Sequence, residues 1–132
     1  MDSHALQLEL RSLGLAELPA GILVFEIDGP FFFGAVESFE RALVQTGTDP
    51  TILLVRLRRV PFMDITGLLT LQEVIVKLQK RGVRVMLCEA NHRVHAKLWK
   101  ADVLSKLDAH EYADSFQIIL SRACGSVQSA TA

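Results

Sequence analysis

The densest apolar run in the chain is Thr51-Ile52-Leu53-Leu54-Val55-Arg56-Leu57-Arg58, which has strand length and is broken only near its end. After the stretch Val60-Pro61-Phe62-Met63-Asp64, the residues Leu68, Leu71, Ile75 and Leu78 recur at +3, +4 and +3, the period of a helix with one buried face. A buried strand therefore passes through a short turn into an amphipathic helix, which closes on Lys80-Arg81 and a Gly82 stop. Similar units lie on either side. Ile22 to Ile27 reads as a strand, Asp28-Gly29-Pro30 as a turn, and Gly34 opens a helical pattern with Val36, Phe39 and Leu43 inward, ended by Gly47. Val83 to Cys88 reads as another buried strand, and Asn91 as the N-cap of a helix with Val94, Leu98 and Ala101 on one face, ending near Asp102. A last helix is expected from about Ala113 to Ala123, with Phe116, Ile119, Leu120 and Ala123 inward. Strands alternating with helices imply an α/β domain with a sheet at least partly parallel. The expected domain spans residues 21–124, preceded by an N-terminal linker or extension over 1–20 and followed by a flexible polar tail over 125–132.

Composition narrows the class of protein. A chain of 132 residues with 50% hydrophobic and 22% charged residues has room for one real core. The net charge of −1 gives no general attraction to nucleic acid, so none is expected as a partner. No run approaches the roughly 18 apolar residues of a membrane span. Asp2, His4 and Glu9 interrupt any signal-peptide pattern. Cys88 and Cys124, without CxxC spacing, read as reduced core thiols in a cytosolic setting.

The residues offer few catalytic options. The common nucleotide-binding and hydrolase signatures are absent, and no cofactor is expected. His92 and His95 lie three apart on a helix, but no acid or thiol at recognisable spacing completes a metal set, and a solvated basic face with Arg93 and Lys97 is the better reading. Arg56, Arg58 and Arg59 form a basic cluster at a strand end, read either as a charged edge or as an anion or partner contact. Asp64 can cap the helix that follows it, and its charge suits the positive end of the helix dipole. A cap alone and a cap that also meets a partner remain open.

Asp28-Gly29-Pro30-Phe31-Phe32-Phe33-Gly34-Ala35, taken with Arg58-Arg59-Val60-Pro61-Phe62-Met63-Asp64-Ile65-Thr66-Gly67, resembles a STAS domain over about residues 20 to 123. That family includes bacterial anti-sigma factor antagonists and the cytoplasmic C-terminal domains of SulP-type anion transporters. The aromatic-rich segment is similar to the transporter branch. The resemblance implies a small central mixed β-sheet with about four helices packed mainly on one face, and it sets the Asp64 turn at an exposed helix N-terminus. It implies a non-catalytic role at the cytoplasmic face of the inner membrane, regulating or assembling a transporter of sulfate or small organic anions. The expected partner is the transmembrane domain of the same transporter. A nucleotide, an acyl carrier protein and a second copy of the chain are further candidates.

On this resemblance Asp64, Ile65, Thr66 and Gly67 form the regulatory or partner-contact turn, and Phe31, Phe32, Phe33, Gly34 and Ala35 a docking or anion contact. Consecutive residues of an extended segment alternate faces, so at least one of the three Phe rings should be exposed unless a partner covers it. The backbone N–H groups at Gly34-Ala35 and Ile65-Thr66 would favour an anion, with the Thr66 hydroxyl as a further donor and the Asp64 carboxylate as a competitor. Two residues depart from the family. Ile65 stands where the anti-sigma antagonists carry a phosphorylatable Ser or Thr, and it has no hydroxyl. Ala101-Asp102 stands where the family often has Ala-Gly, which reads as a substituted helix stop. The alternative reading is a stand-alone anti-sigma-antagonist-like switch, against which Ile65 and the Phe segment count. A phosphoacceptor built on Asp64 would need more acids beside Asp28 than the chain supplies.

Overall fold

A computed structural model describes residues 21–28 and 50–131 of the chain. Residues 1–20, the Phe31–Ala35 segment and the helix expected after Gly34 lie outside the described residues. The elements are β1 (Ile22–Asp28), β2 (Ile52–Arg59), α1 (Ile65–Lys80), β3 (Arg84–Cys88), α2 (His92–Lys100), two 3-10 turns at Leu104–Lys106 and Ala109–Glu111, β4 (Tyr112–Ala113) and α3 (Phe116–Thr131). The strands join in the order β1-β2-β3-β4, and every pair is parallel. No antiparallel pair, which a mixed sheet requires, occurs among the described residues.

β2 explains this arrangement. Ile52 to Leu57 are buried without a break, so both faces of the strand need apolar cover. Leu53, Val55 and Leu57 share one cluster with Leu68, Leu71, Ile75 and Leu78 of α1 and Val94 and Leu98 of α2. Ile52 and Leu54 point the other way, with Ile22, Val24, Met86 and Cys88, onto Phe116, Ile119, Leu120 and Ala123 of α3. Two described helices therefore cover one face and the C-terminal helix covers the other. The inward positions of all three helices match the sequence periodicity.

The last helix differs from its expected span. Tyr112-Ala113 form a two-residue strand beside β3, and the helix starts only at Phe116, where the Ile118 N–H donates to the Ser115 hydroxyl. It continues through Gly125 to Thr131. Gly125 is exposed, and a glycine inside a helix costs only about 1 kcal/mol relative to alanine, too little to stop it.

The other two helices end by the same device. After α1 the Val83 N–H donates to the Leu78 carbonyl and the Gly82 N–H to that of Gln79, with Gly82 at φ 82. After α2 the Val103 N–H donates to Leu98 and the Asp102 N–H to Trp99, with Asp102 at φ 59. Asp102 therefore does occupy the left-handed stop position that favours glycine, as expected from its substitution there. In each motif the residue after the stop, Val83 or Val103, is buried beside the helix it ends. A Cβ at Gly82 would meet nothing within 4 Å, so Gly82→Ala isolates backbone strain. It should cost about 1–2 kcal/mol, read as a lower urea midpoint at unchanged slope.

Candidate functional site

The turn Val60–Gly67 joins the carboxyl end of β2 to α1. Val60 and Met63 are buried and anchor it, while Pro61, Phe62, Asp64, Ile65 and Thr66 are exposed. Asp64 is the N-cap, in extended backbone, and its Oδ1 accepts the Gly67 N–H at 2.8 Å. Its own carbonyl accepts the Leu68 N–H at 3.0 Å. Ile65, at the first helical position, is 66% exposed. The expected exposed helix N-terminus is present, and so is the expected competitor, since the Asp64 carboxylate holds one of the first-turn donors. The Gly34-Ala35 half of the anticipated anion site lies outside the described residues.

α2 fixes the turn in place. Asn91 caps α2 by accepting the Val94 N–H at 2.8 Å, and its amide nitrogen donates to the carbonyls of Val60 at 3.3 Å and Pro61 at 3.1 Å. Lys97, read from sequence as part of a solvated face, donates Nζ to the Met63 carbonyl at 2.8 Å. Three backbone carbonyls of the turn are thus held by two side chains of one helix. The His95 ring lies against Tyr112, with centroids 5.0 Å apart, and no group of three metal-ligating side chains occurs among the described residues. Burial pushes the Tyr112 hydroxyl up, and the hydrogen bond it donates to Asp114 adds to the shift.

The basic cluster at the end of β2 separates into two roles. Arg56 is only 2% exposed, because it sits on the same side of the strand as Ile52 and Leu54. Its Nε and one terminal nitrogen reach Glu89 at 2.6 and 3.0 Å, and its guanidinium lies 3.9 Å from the centroid of the Phe116 ring. Glu89 holds φ 67, a left-handed conformation uncommon for glutamate. The reading of a charged strand edge therefore fails for Arg56, which is buried. An inward-facing arginine in an apolar strand needs a fixed counter-charge, and alternation with Ile52 and Leu54 was the available signal.

Arg58 and Arg59 both reach Glu26 of β1, at 2.7 and 3.2 Å. Burial pushes the Glu26 carboxyl up, but the Arg58 hydrogen bond and the charges of Arg58, Arg56 and Arg59 outweigh it and hold the group below its usual range. A depressed carboxylate contributes stability above its unfolded value, near 4.3, and loses it as pH falls through the lower folded value. Glu26→Gln should therefore destabilise the domain at neutral pH, with the gap to wild type closing in acid, measured by urea unfolding across pH. For the turn itself, Asp64→Ala should cost about 0.5–2 kcal/mol and Asp64→Asn clearly less, since Asn caps nearly as well.

No helix among the described residues is long and apolar enough to cross a membrane. A family model described as STAS domain matches residues 15–119. Among solved structures, the STAS domain of a SulP transporter from Vibrio cholerae superposes with a TM-score of 0.83 at 39% identity, over 96% of this chain and 98% of that one. A sulfate transporter family protein from Wolinella succinogenes follows at TM-score 0.76 and 29% identity, over 85% and 92%. The murine Slc26a9 anion transporter shares the fold at TM-score 0.68 and 20% identity, over 88% of this chain but only 20% of its own. No curated protein matches the chain.

Proposed function

The chain belongs to the STAS domain family, and we propose that it is the cytoplasmic, non-catalytic domain of a SulP-type anion transporter, where it regulates or assembles the membrane part. The observation that supports this most is the end-to-end likeness to the Vibrio cholerae SulP domain, 39% identical over 98% of that chain. The turn supports the same reading. Ile65 directly follows the capping Asp64 and offers no hydroxyl for a phosphoryl group, so a modification switch at that position is closed. Asp64 is engaged as a cap, its Oδ1 accepting the Gly67 N–H. What the turn presents to solvent is apolar, with Phe62 48% and Ile65 66% exposed, which suits a standing contact with another protein surface.

The test is made in the transporter that carries this chain. Removing residues 21–124 should lower either the amount of transporter in the membrane or its uptake of labelled sulfate and small organic anions. Ile65→Glu should lower the same readouts while circular dichroism shows a folded domain. A coding region without an N-terminal membrane part would overturn the reading. So would unchanged assembly and uptake for every anion that the intact protein carries.

A further inference from the structure

α2 is short and basic, and it carries the one tryptophan of the chain. Val94 and Leu98 are its buried residues and fix its inner side. At roughly 100° per residue Ala96 stands opposite them, with His92 and Lys100 about 40° to either side and Trp99 and Arg93 about 60°. All of these outward residues are exposed. Trp99 is 69% exposed, so the fold leaves its largest aromatic ring in water. From Asn91 to Ala101 there is no acidic residue, while Arg93, Lys97 and Lys100 are cationic. Lys97 is held by the Met63 carbonyl, which leaves Arg93 and Lys100 as the outward charges. Glu89, before the helix, is engaged by Arg56, and Asp102 follows the helix at its left-handed stop. The net charge of −1 therefore conceals a local cationic face. That face lies at the β4 edge of the sheet, where His95 packs on Tyr112. Residues 1–20 and 29–49 join the described chain elsewhere, at β1 and ahead of β2.

We propose that the outer face of α2 rests on an anionic lipid bilayer, with Trp99 at headgroup depth and Arg93 and Lys100 on lipid phosphates. An indole is apolar over its faces and donates one N–H, which suits the boundary between acyl chains and water. Lys100 can lay its stem along the same surface while its ammonium reaches a phosphate, and the Arg93 guanidinium can meet one with two N–H groups. Ala96 between them is small, so the helix can approach closely. Charge complementarity selects the lipid: a face with two outward cations and no acid is drawn to a negative surface. A nucleic acid would need a longer track of cations than a nine-residue helix supplies. The contact is peripheral and weak, enough to set which way the domain faces the membrane. It rests on the chemistry of α2 alone, so its failure would leave the transporter reading standing.

Trp99 reports on its own site, because no other tryptophan contributes to the emission. Titrating the chain with phosphatidylglycerol vesicles at low salt should shift the emission to the blue, and lipids brominated near the headgroup should quench it. Phosphatidylcholine vesicles should do neither, and added salt should reverse both effects. Lys100→Gln and Arg93→Gln should each lower the vesicle partition coefficient about fivefold with an unchanged circular dichroism spectrum. Trp99→Ala, followed by co-sedimentation with the vesicles, should also weaken binding. An emission indifferent to phosphatidylglycerol would overturn the proposal, as would an equal response to phosphatidylcholine. Partition unaffected by Lys100→Gln and Arg93→Gln would place the contact elsewhere and overturn it too. A shift reproduced by polyglutamate or an oligonucleotide, without quenching by the brominated lipid, would mean a general polyanion site and no bilayer contact.

Discussion

Everything in this domain depends on β2 being buried on both faces. Its six successive buried residues, Ile52 to Arg56 and Leu57, leave no side of the strand for water, so helices must lie above and below it. That requirement carries a cost at one position. Arg56 falls on the inward alternation and takes its charge into the layer between the sheet and α3. A buried guanidinium without a partner would cost several kcal/mol, so the counter-charge has to be fixed, not recruited from solvent. Glu89 supplies it from the end of β3 through a bidentate pair, and the strain of its left-handed backbone is sustained because the ion pair holds it there.

From Glu89 the effect reaches the exposed turn through a short covalent and hydrogen-bonded path. Two residues after Glu89, Asn91 starts α2 and grips the carbonyls of Val60 and Pro61. One turn and a half further on, Lys97 holds the carbonyl of Met63. The start of α1 at Asp64 is therefore set by α2 as much as by its own cap. The turn is a preorganised surface: its backbone is tied down from beneath, while Phe62 and Ile65 remain on the outside.

What was legible in the sequence is what is local. Asp64 and Asn91 act as caps within three residues of themselves, and Gly82 and Asp102 stop helices through bonds within one turn, so residue type and spacing were enough. The helix faces followed from periodicity for the same reason. The Arg56–Glu89 pair and the Lys97–Met63 bond join residues 33 and 34 apart, and no spacing rule reaches that far. β4 is two residues long, too short for alternation to register, so Ala113 was read into the helix that begins at Phe116. The residues from Gly125 are small and polar, which reads as a flexible tail. At an exposed helix position the cost of the glycine is small, and the helix continues.

The two faces of α1 show how one helix can serve both fold and function. Its inner face is fixed by the core, so substitutions there would be felt as lost stability. Its outer face contributes nothing to the core, and exposed Ile65 and Leu69 carry a solvation cost that only a covering surface relieves. Where a hydroxyl follows the capping aspartate, modification can add charge at the helix start and turn a contact on or off. An isoleucine there removes that control and adds apolar contact area in its place. On the proposed reading the turn is consequently a standing contact surface, engaged by its geometry and not by modification.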